Sequence, residues 1–374
     1  MNLFETTLNN IQAKADIKAA GGFNGIPYPY PRLSEFVPSI DKEQVIGITS
    51  YSGAAKSKFL RHTYVMYPYE FSLHNNYDVL IDYYALEDSN IKVYKNILCT
   101  YLWQKHKIRT STFDLDSKFK ALSGDTLAKI KEGEKYLQDF SSKVRIKDHI
   151  THPFGIFNDV VKTAQELGEV IYKDVDYGNG NIRKIISDFK PKGSTHWMML
   201  FDNLNNIDKE KHHHDKKEAM DSFVQRDCRL LYSKIFKATC VIVHQQALEA
   251  ERQQFTNAGG SILEKLKPSS ANLGGTKEVV RSYHLLFSIF APHKFKVENY
   301  KGYDIKLIGN NFRELEVIKN NDGFDNVSVP LYFDGAAEFF RELPHSEKQK
   351  EELIKFYSWL EEERLKQKNK FLLF

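Results

Sequence analysis

The residues whose types and spacing promise chemistry begin at Gln44–Arg61, QVIGITSYSGAAKSKFLR. An apolar strand (Val45, Ile46, Ile48) leads into the small residues Ser50, Ser52, Gly53, Ala54 and Ala55. Lys56, Ser57 and Lys58 then open a helix. In a phosphate-binding loop, consecutive backbone N–H groups and a helix N-terminus surround an anion, a lysine supplies a point charge, and a hydroxyl reaches Mg2+. The spacing G-x-x-x-x-G-K-[ST] is present with two replacements: Ser50 stands for the first Gly and Ala55 for the second. A small-residue βα turn that happens to carry Lys-Ser fits the same residues.

Nucleotide hydrolysis on such a scaffold needs a Mg2+ carboxylate, a base for water and a γ-phosphate sensor, each at the carboxyl end of a strand. Asp202 ends HWMMLF and reads either as that carboxylate, opposite Ser57, or as a strand-ending Asp-Asn turn. Glu87 ends VLIDYYALE and reads either as the base or as a helix-start carboxylate. Gln245 follows CVIVH as a sensor or as a solvated polar end, with Gln246 equally available. Each signal is weak alone; their order and the strands before them strengthen the joint reading. Two loops offer cations to nucleic acid phosphates. One, residues 209–217, carries Lys211 and Lys216 in a mixed-charge run whose three adjacent histidines have no metal-ligand spacing on a regular element. The other, Arg252–Thr276, carries Lys265 and Lys267 among Gly and Ser.

The elements that must position these residues follow from periodicity. Strand-like apolar runs (78–84, 196–201, 239–243, 283–290, 315–318, 327–333) alternate with helical stretches (57–67, 91–106, 123–140, 156–168, 219–237), with a short strand expected at 143–149. That alternation predicts an α/β fold: a mostly parallel sheet flanked by helices. Residues 2–19 form an amphipathic helix ended by Gly21-Gly22, the prolines of Gly25–Pro31 enforce extended chain, and Ser346–Lys368 is a charged terminal helix. The 374 residues carry 53 basic and 49 acidic side chains, a balance too even to argue for any partner by charge alone. Three scattered cysteines fit neither a disulfide frame nor a metal site and suit a reducing cytoplasm. No apolar run approaches the ~20 residues of a membrane span, and the N-terminus reads as no signal segment, so no membrane partner is expected.

From about residue 25 to 340 the chain resembles the RecA-like motor domain of DnaB-type replicative helicases in a short, phage-like version. Gly25-Ile26-Pro27 resembles the family's approach to its phosphate loop. Ala85-Leu86-Glu87-Asp88 resembles its Ser-Leu-Glu-Met motif, Leu122-Ser123-Gly124-Asp125 its helix cap, Phe201-Asp202-Asn203-Leu204-Asn205 its Walker B strand, and His244-Gln245-Gln246 its sensor. Ile318–Gly323 followed by Val327–Asp334 resembles its Lys-x-Arg-Asn-Gly hairpin. The resemblance implies a RecA-like P-loop NTPase core over residues 25–344, an N-terminal linker helix over 1–24 that docks on a neighbouring subunit, and a helical tail over 345–374. It further implies ATP and Mg2+ as cofactors, a homo-hexameric ring translocating on single-stranded DNA, and primase or a helicase loader as partners. The expected location is the cytoplasm, that of the bacterial host if the chain is phage-encoded. Glu87 is then the catalytic base, Lys56 and Gln245 contact phosphate, and Lys319 acts in trans on the neighbour's nucleotide. Asn321 stands where the family has its arginine, with Arg313 as a substitute. The other reading of these departures is a weakly catalytic or non-catalytic nucleotide- or DNA-binding scaffold.

Overall fold

Nine strands form one sheet in the computed structural model, which describes residues 2–246, 267–270, 273 and 277–372. In chain order they are β1 (Val45–Ser50), β2 (Val79–Ala85), β3 (Val144–Lys147), β4 (His196–Asp202), β5 (Thr239–Gln245), β6 (Leu285–Phe290), β7 (Phe312–Asn320), β8 (Val327–Asp334) and β9 (Phe339–Glu342). Their spatial order is β9-β8-β7-β6-β1-β5-β4-β2-β3. The first six are mutually parallel, and β7 to β9 extend the β6 edge as antiparallel neighbours. Parallel strands need helical crossovers on both faces, so their residues must be apolar on both sides. β1, β4 and β6 are buried throughout, as that requires.

The two-residue period divides the core. Ile46, Ile48, Ile81, Met198, Leu200, Val241 and Phe287 pack with Phe59, Leu60 and Tyr64 of the helix after β1. On the other face Val45, Trp197, Met199, Phe201, Cys240 and Ile242 pack with Ile156 and Val160 of helix Pro153–Leu167 and with Phe223, Val224 and Cys228. Each side chain so buried contributes about 1.5–3 kcal/mol relative to exposure. The terminal helix Lys350–Leu372 lies on its own chain, seating Leu353, Phe356 and Leu360 against Tyr300, Phe312 and Tyr332. Helix Leu3–Ala19 is capped by Asn2 and Glu5, yet no residue of it is buried. Leu3, Phe4, Leu8, Ile11 and Ile17 all remain exposed.

The sequence reading of 123–140 as one helix is corrected to two, Gly124–Glu132 and Glu134–Lys143, with Ser123 capping the first. The break is at Gly133, where a Cβ would meet the Tyr101 hydroxyl at 2.0 Å. An unanticipated hairpin, Gly168–Asp176 with Ile182–Pro191, precedes β4. Its turn uses Gly178, Asn179 and Gly180 at positive φ.

His62 and His196 are buried, and burial lowers their pKa to about 4 and about 3. In the unfolded chain histidine titrates near 6.5. As pH falls below about 6.5 the unfolded state therefore binds protons first, so this contribution to stability is intact above that pH and lost on the way down to about 4. A His62→Asn variant should lose less stability than wild type between about pH 7 and 5. Urea midpoints at the two pH values check this, and an identical pH dependence would contradict it.

Candidate nucleotide site

The loop between β1 and the following helix is shaped by two left-handed residues, Gly53 (φ +70°) and Ala55 (φ +80°). Gly53 is constrained twice, since a Cβ there would come within 2.5 Å of Lys294 Nζ, which donates to the Ser52 carbonyl. Ala55 bears a Cβ where glycine is at ease, at a cost of about 1–2 kcal/mol. The surrounding core outweighs that cost. Ala54 is buried and its carbonyl accepts Nε–H of Arg313 at 2.9 Å. The first helical bond runs from Phe59 N–H to Ala55 O at 2.9 Å, so the N–H groups of Ser57 and Lys58 have no acceptor within the helix and give the loop the polarity an anion needs. Lys56 Nζ turns back onto Ser50 O (3.0 Å), Ser50 Oγ (3.2 Å) and Tyr51 O (3.3 Å). An arriving phosphate competes with those oxygens for the ammonium group.

Ser57 Oγ donates to Asp202 Oδ1 at 2.9 Å, joining the helix after β1 to the end of β4. Asp202 Oδ2 accepts the Tyr83 hydroxyl at 2.5 Å and lies 3.8 Å from Arg61 Nη1. Burial raises the Asp202 pKa; Arg61, Tyr83 and Ser57 oppose the shift, and the Glu87 charge adds to it. Arg61 is in turn held by Glu338 through Nε (2.7 Å) and Nη2 (2.9 Å). Glu87 is exposed just beyond Leu86, whose N–H donates to Asp202 O at 2.7 Å. Gln245 is paired with Ser50 across β1 and β5. Its N–H donates to Asn205 Oδ1 (2.9 Å), and its Oε1 accepts Asn203 Nδ2 (3.4 Å). Gln246 faces elsewhere: it is buried and donates to Thr49 Oγ1 (2.9 Å) and Ser269 O (3.1 Å). The two glutamines, equivalent in sequence, are therefore separated by the fold. Only Gln245 is tied to the loop after Asp202.

Mg2+ takes oxygen ligands about 2.0–2.1 Å away, which puts neighbouring ligands about 3 Å apart in an octahedral shell. The Ser57 hydroxyl and the Asp202 carboxylate, 2.9 Å apart, form a donor pair that fits this ion.

No protein-family model and no curated protein sequence matches the chain. Among solved structures it is similar to the ATPase domain of a phage helicase, at 13% identity and a TM-score of 0.66, covering 92% of this chain and 99% of that one. A DnaB-like replicative helicase, described with its interactions with primase, aligns at 12% identity and a TM-score of 0.64, covering 89% of this chain and 67% of that one. The fold is that of a DnaB-type helicase ATPase domain.

Within this RecA-like core the remaining expected residues fall in unequal places. Arg313 does not extend toward a neighbour. It is 1% exposed and binds Ala54 O, Asn310 O (2.8 Å) and Phe312 O (2.7 Å) of its own chain, with its guanidinium 4.6 Å from the Phe333 ring centre. Burial among these neutral partners lowers its pKa to about 9. The reading of Arg313 as a trans finger is thus corrected to that of a strut behind its own phosphate loop. Lys319 lies at the end of β7 and donates to Val280 O (3.0 Å), Arg281 O (3.2 Å) and Tyr283 O; burial lowers its pKa. To serve a neighbour it must leave those carbonyls. Asn321 is exposed beyond it. Lys211 and Lys216 are exposed, whereas Lys267 lies 3.8 Å from Glu316 with 11% of its side chain exposed, a position that does not suit a DNA contact. Lys265 lies outside the described residues.

Sequence reasoning missed Arg61, Tyr83, Glu338 and Lys294, since none belongs to a local motif. Replacing Ala55 by glycine removes the strained Cβ and should stabilise the chain by about 0.5–1 kcal/mol in chemical denaturation; a loss of stability would contradict the strain. Arg313→Met, which leaves buried carbonyls unpaired, should cost about 2–4 kcal/mol in the isolated protomer. A pure trans role would leave protomer stability unchanged.

Proposed function

We propose that the chain is an ATP-driven helicase motor that works as a ring and translocates on single-stranded DNA, in the replication of a phage or plasmid genome. The observation that carries this reading is the Ser57–Asp202 hydrogen bond, which brings the helix after β1 and the end of β4 to one point with Gln245 between them. A coincidental small-residue turn has no reason to face a buried carboxylate at the far end of a strand two places away. ATP would lie on the loop Ser50–Ser57 at the carboxyl ends of the parallel strands, where α/β sheets bind ligands. Ser57 and Asp202 would hold Mg2+, which supplies charge neutralisation at the phosphates.

The chain's own residues then divide the work. Lys56 leaves the Ser50 and Tyr51 carbonyls to meet phosphate oxygens. Glu87 is placed to accept a proton from water. It stands in solvent one strand beyond Asp202, so it is accessible to a water without being tied up in an ion pair with Arg61. Gln245 is coupled through Asn203 and Asn205 to the loop after β4, so a change at the phosphate can reach that loop. Lys319 acts on the neighbouring subunit after release from the carbonyls it holds. The exposed helix Leu3–Ala19 docks its apolar residues on a neighbour, and Lys211 and Lys216 lie on the loop that meets the DNA backbone. Primase or a helicase loader are partners of the same reading, supported by the DnaB-like relative described with primase. In the described chain no helix is long and apolar enough to cross a membrane, and the cytoplasm is the proposed location.

The test is turnover. Wild type should show ATPase activity stimulated by single-stranded DNA, reduced about 10²–10⁴-fold in Glu87→Gln with nucleotide binding retained. Lys56→Ala should weaken binding as well. Light scattering should report assembly beyond a monomer in the presence of Mg-ATP. A wild type that binds Mg-ATP but turns none over, with or without DNA, would overturn the motor and leave the scaffold reading.

A further inference from the structure

The loop that follows β4 carries a second cluster of chemistry that the nucleotide site does not use. Glu210, His212 and His213 each present one donor atom, and the three donors lie within 4.8 Å of one another. The three adjacent histidines have no ligand spacing on a helix or strand, yet the irregular turn of residues 208–215 folds two of them back beside Glu210. His212 Nδ1 stands 3.4 Å from Glu210 Oε2. The two imidazole rings are 4.0 Å apart, centre to centre. In a tetrahedral zinc shell with bonds of about 2.0–2.1 Å, neighbouring donors are about 3.3 Å apart. One edge is thus at that spacing, and the others close by side-chain rotation of the exposed His212.

The cluster is anchored where a ligand set needs anchoring. Glu210 Oε1 accepts the N–H of Phe154, at the start of helix Pro153–Leu167, at 2.5 Å, which leaves Oε2 turned to the histidines. Asp208 N–H donates to Thr151 O at 2.9 Å and fixes the other end of the turn to the same segment. His213 is 7% exposed, and its Nδ1 lone pair is directed at the Glu210 N–H at 3.1 Å. A cation at that position would take the same lone pair in exchange for one backbone hydrogen bond, a loss of about 1 kcal/mol. Two imidazoles and one carboxylate are the donor set of three-ligand zinc sites and a poor one for Mg2+, which prefers oxygen throughout.

We propose that Glu210, His212 and His213 form a transition-metal site that takes Zn2+ and clamps the loop after β4 against helix Pro153–Leu167. The site stands independently of the nucleotide reading, since it shares no ligand with Ser57 or Asp202. Its consequence is mechanical: with the metal in place the turn bearing Lys209 and Lys211 is closed onto its anchor.

The experiment uses the full chain without a polyhistidine tag, titrated with ZnCl2 by calorimetry. The expected result is one Zn2+ per chain at about micromolar affinity or tighter, with MgCl2 unable to compete. His212→Ala, which removes an exposed side chain and leaves the core untouched, and Glu210→Gln should each weaken binding at least about tenfold. His74→Ala, at an exposed histidine elsewhere, should leave it unchanged. Limited trypsin digestion gives a second readout: Zn2+ should slow cleavage after Lys209 and Lys211 in wild type and not in His212→Ala. Absence of stoichiometric Zn2+ binding, or binding and protection that His212→Ala leaves intact, would overturn the proposal.

Discussion

The contact between Ser57 and Asp202 is the constraint on which the rest of the structure depends. It requires the hydroxyl at the first turn of one helix and the carboxylate at the end of β4 to share one point, although the two residues are 145 positions apart. A buried carboxylate is costly unless its oxygens are satisfied. Tyr83 and Arg61 meet that need from β2 and from the helix after β1, and Glu338 holds Arg61 in place through a bidentate pair. Glu338 sits in the turn between β8 and β9. The antiparallel strands that close the sheet therefore reach back to the nucleotide site through a guanidinium, and their presence has a local purpose as well as a packing one.

The phosphate loop shows how a damaged motif can keep its geometry. Ala55 retains the left-handed conformation that glycine would adopt freely. It does so because neighbouring contacts over-determine the backbone: Arg313 on Ala54, Lys294 on Ser52, and Lys56 on Ser50 and Tyr51. Substituting the glycines therefore transfers the control of loop shape from the backbone's own freedom to long-range side chains. Arg313 is the clearest case. Its position just before the late hairpin made it look available to a neighbouring subunit, whereas it is consumed inside its own protomer.

Much of this was legible in the sequence, because the parallel strands are continuous apolar runs and the site residues stand at their carboxyl ends. Val45–Ser50, Val79–Ala85, His196–Asp202 and Thr239–Gln245 declare themselves by composition, and Lys56, Ser57, Glu87, Asp202 and Gln245 follow from where those runs stop. What was not legible depends on distance or on irregular backbone. Arg61 and Glu338 pair across 277 positions, and nothing near either residue announces the other. Gln245 and Gln246 differ only in which side of β5 they emerge from, and the pleat decides that. The hairpin before β4 did carry a signal, since Asn179-Gly180 between Val170–Val175 and Ile182–Ile186 is a turn dipeptide between alternating apolar positions. The Glu210–His213 cluster carried none, because its donors meet on a turn with no periodicity.

The central claim is that Ser57 and Asp202 form the metal-binding half of a nucleotide site. The direct measurement is the affinity for ATP with Mg2+ and with excess chelator, by titration calorimetry, in wild type and in Asp202→Asn. The account predicts that wild type binds at least about tenfold more tightly with Mg2+, and that Asp202→Asn keeps the chelator-level affinity while losing the Mg2+ enhancement. An affinity for ATP that is indifferent to Mg2+ in wild type, or an enhancement that survives in Asp202→Asn, would contradict it.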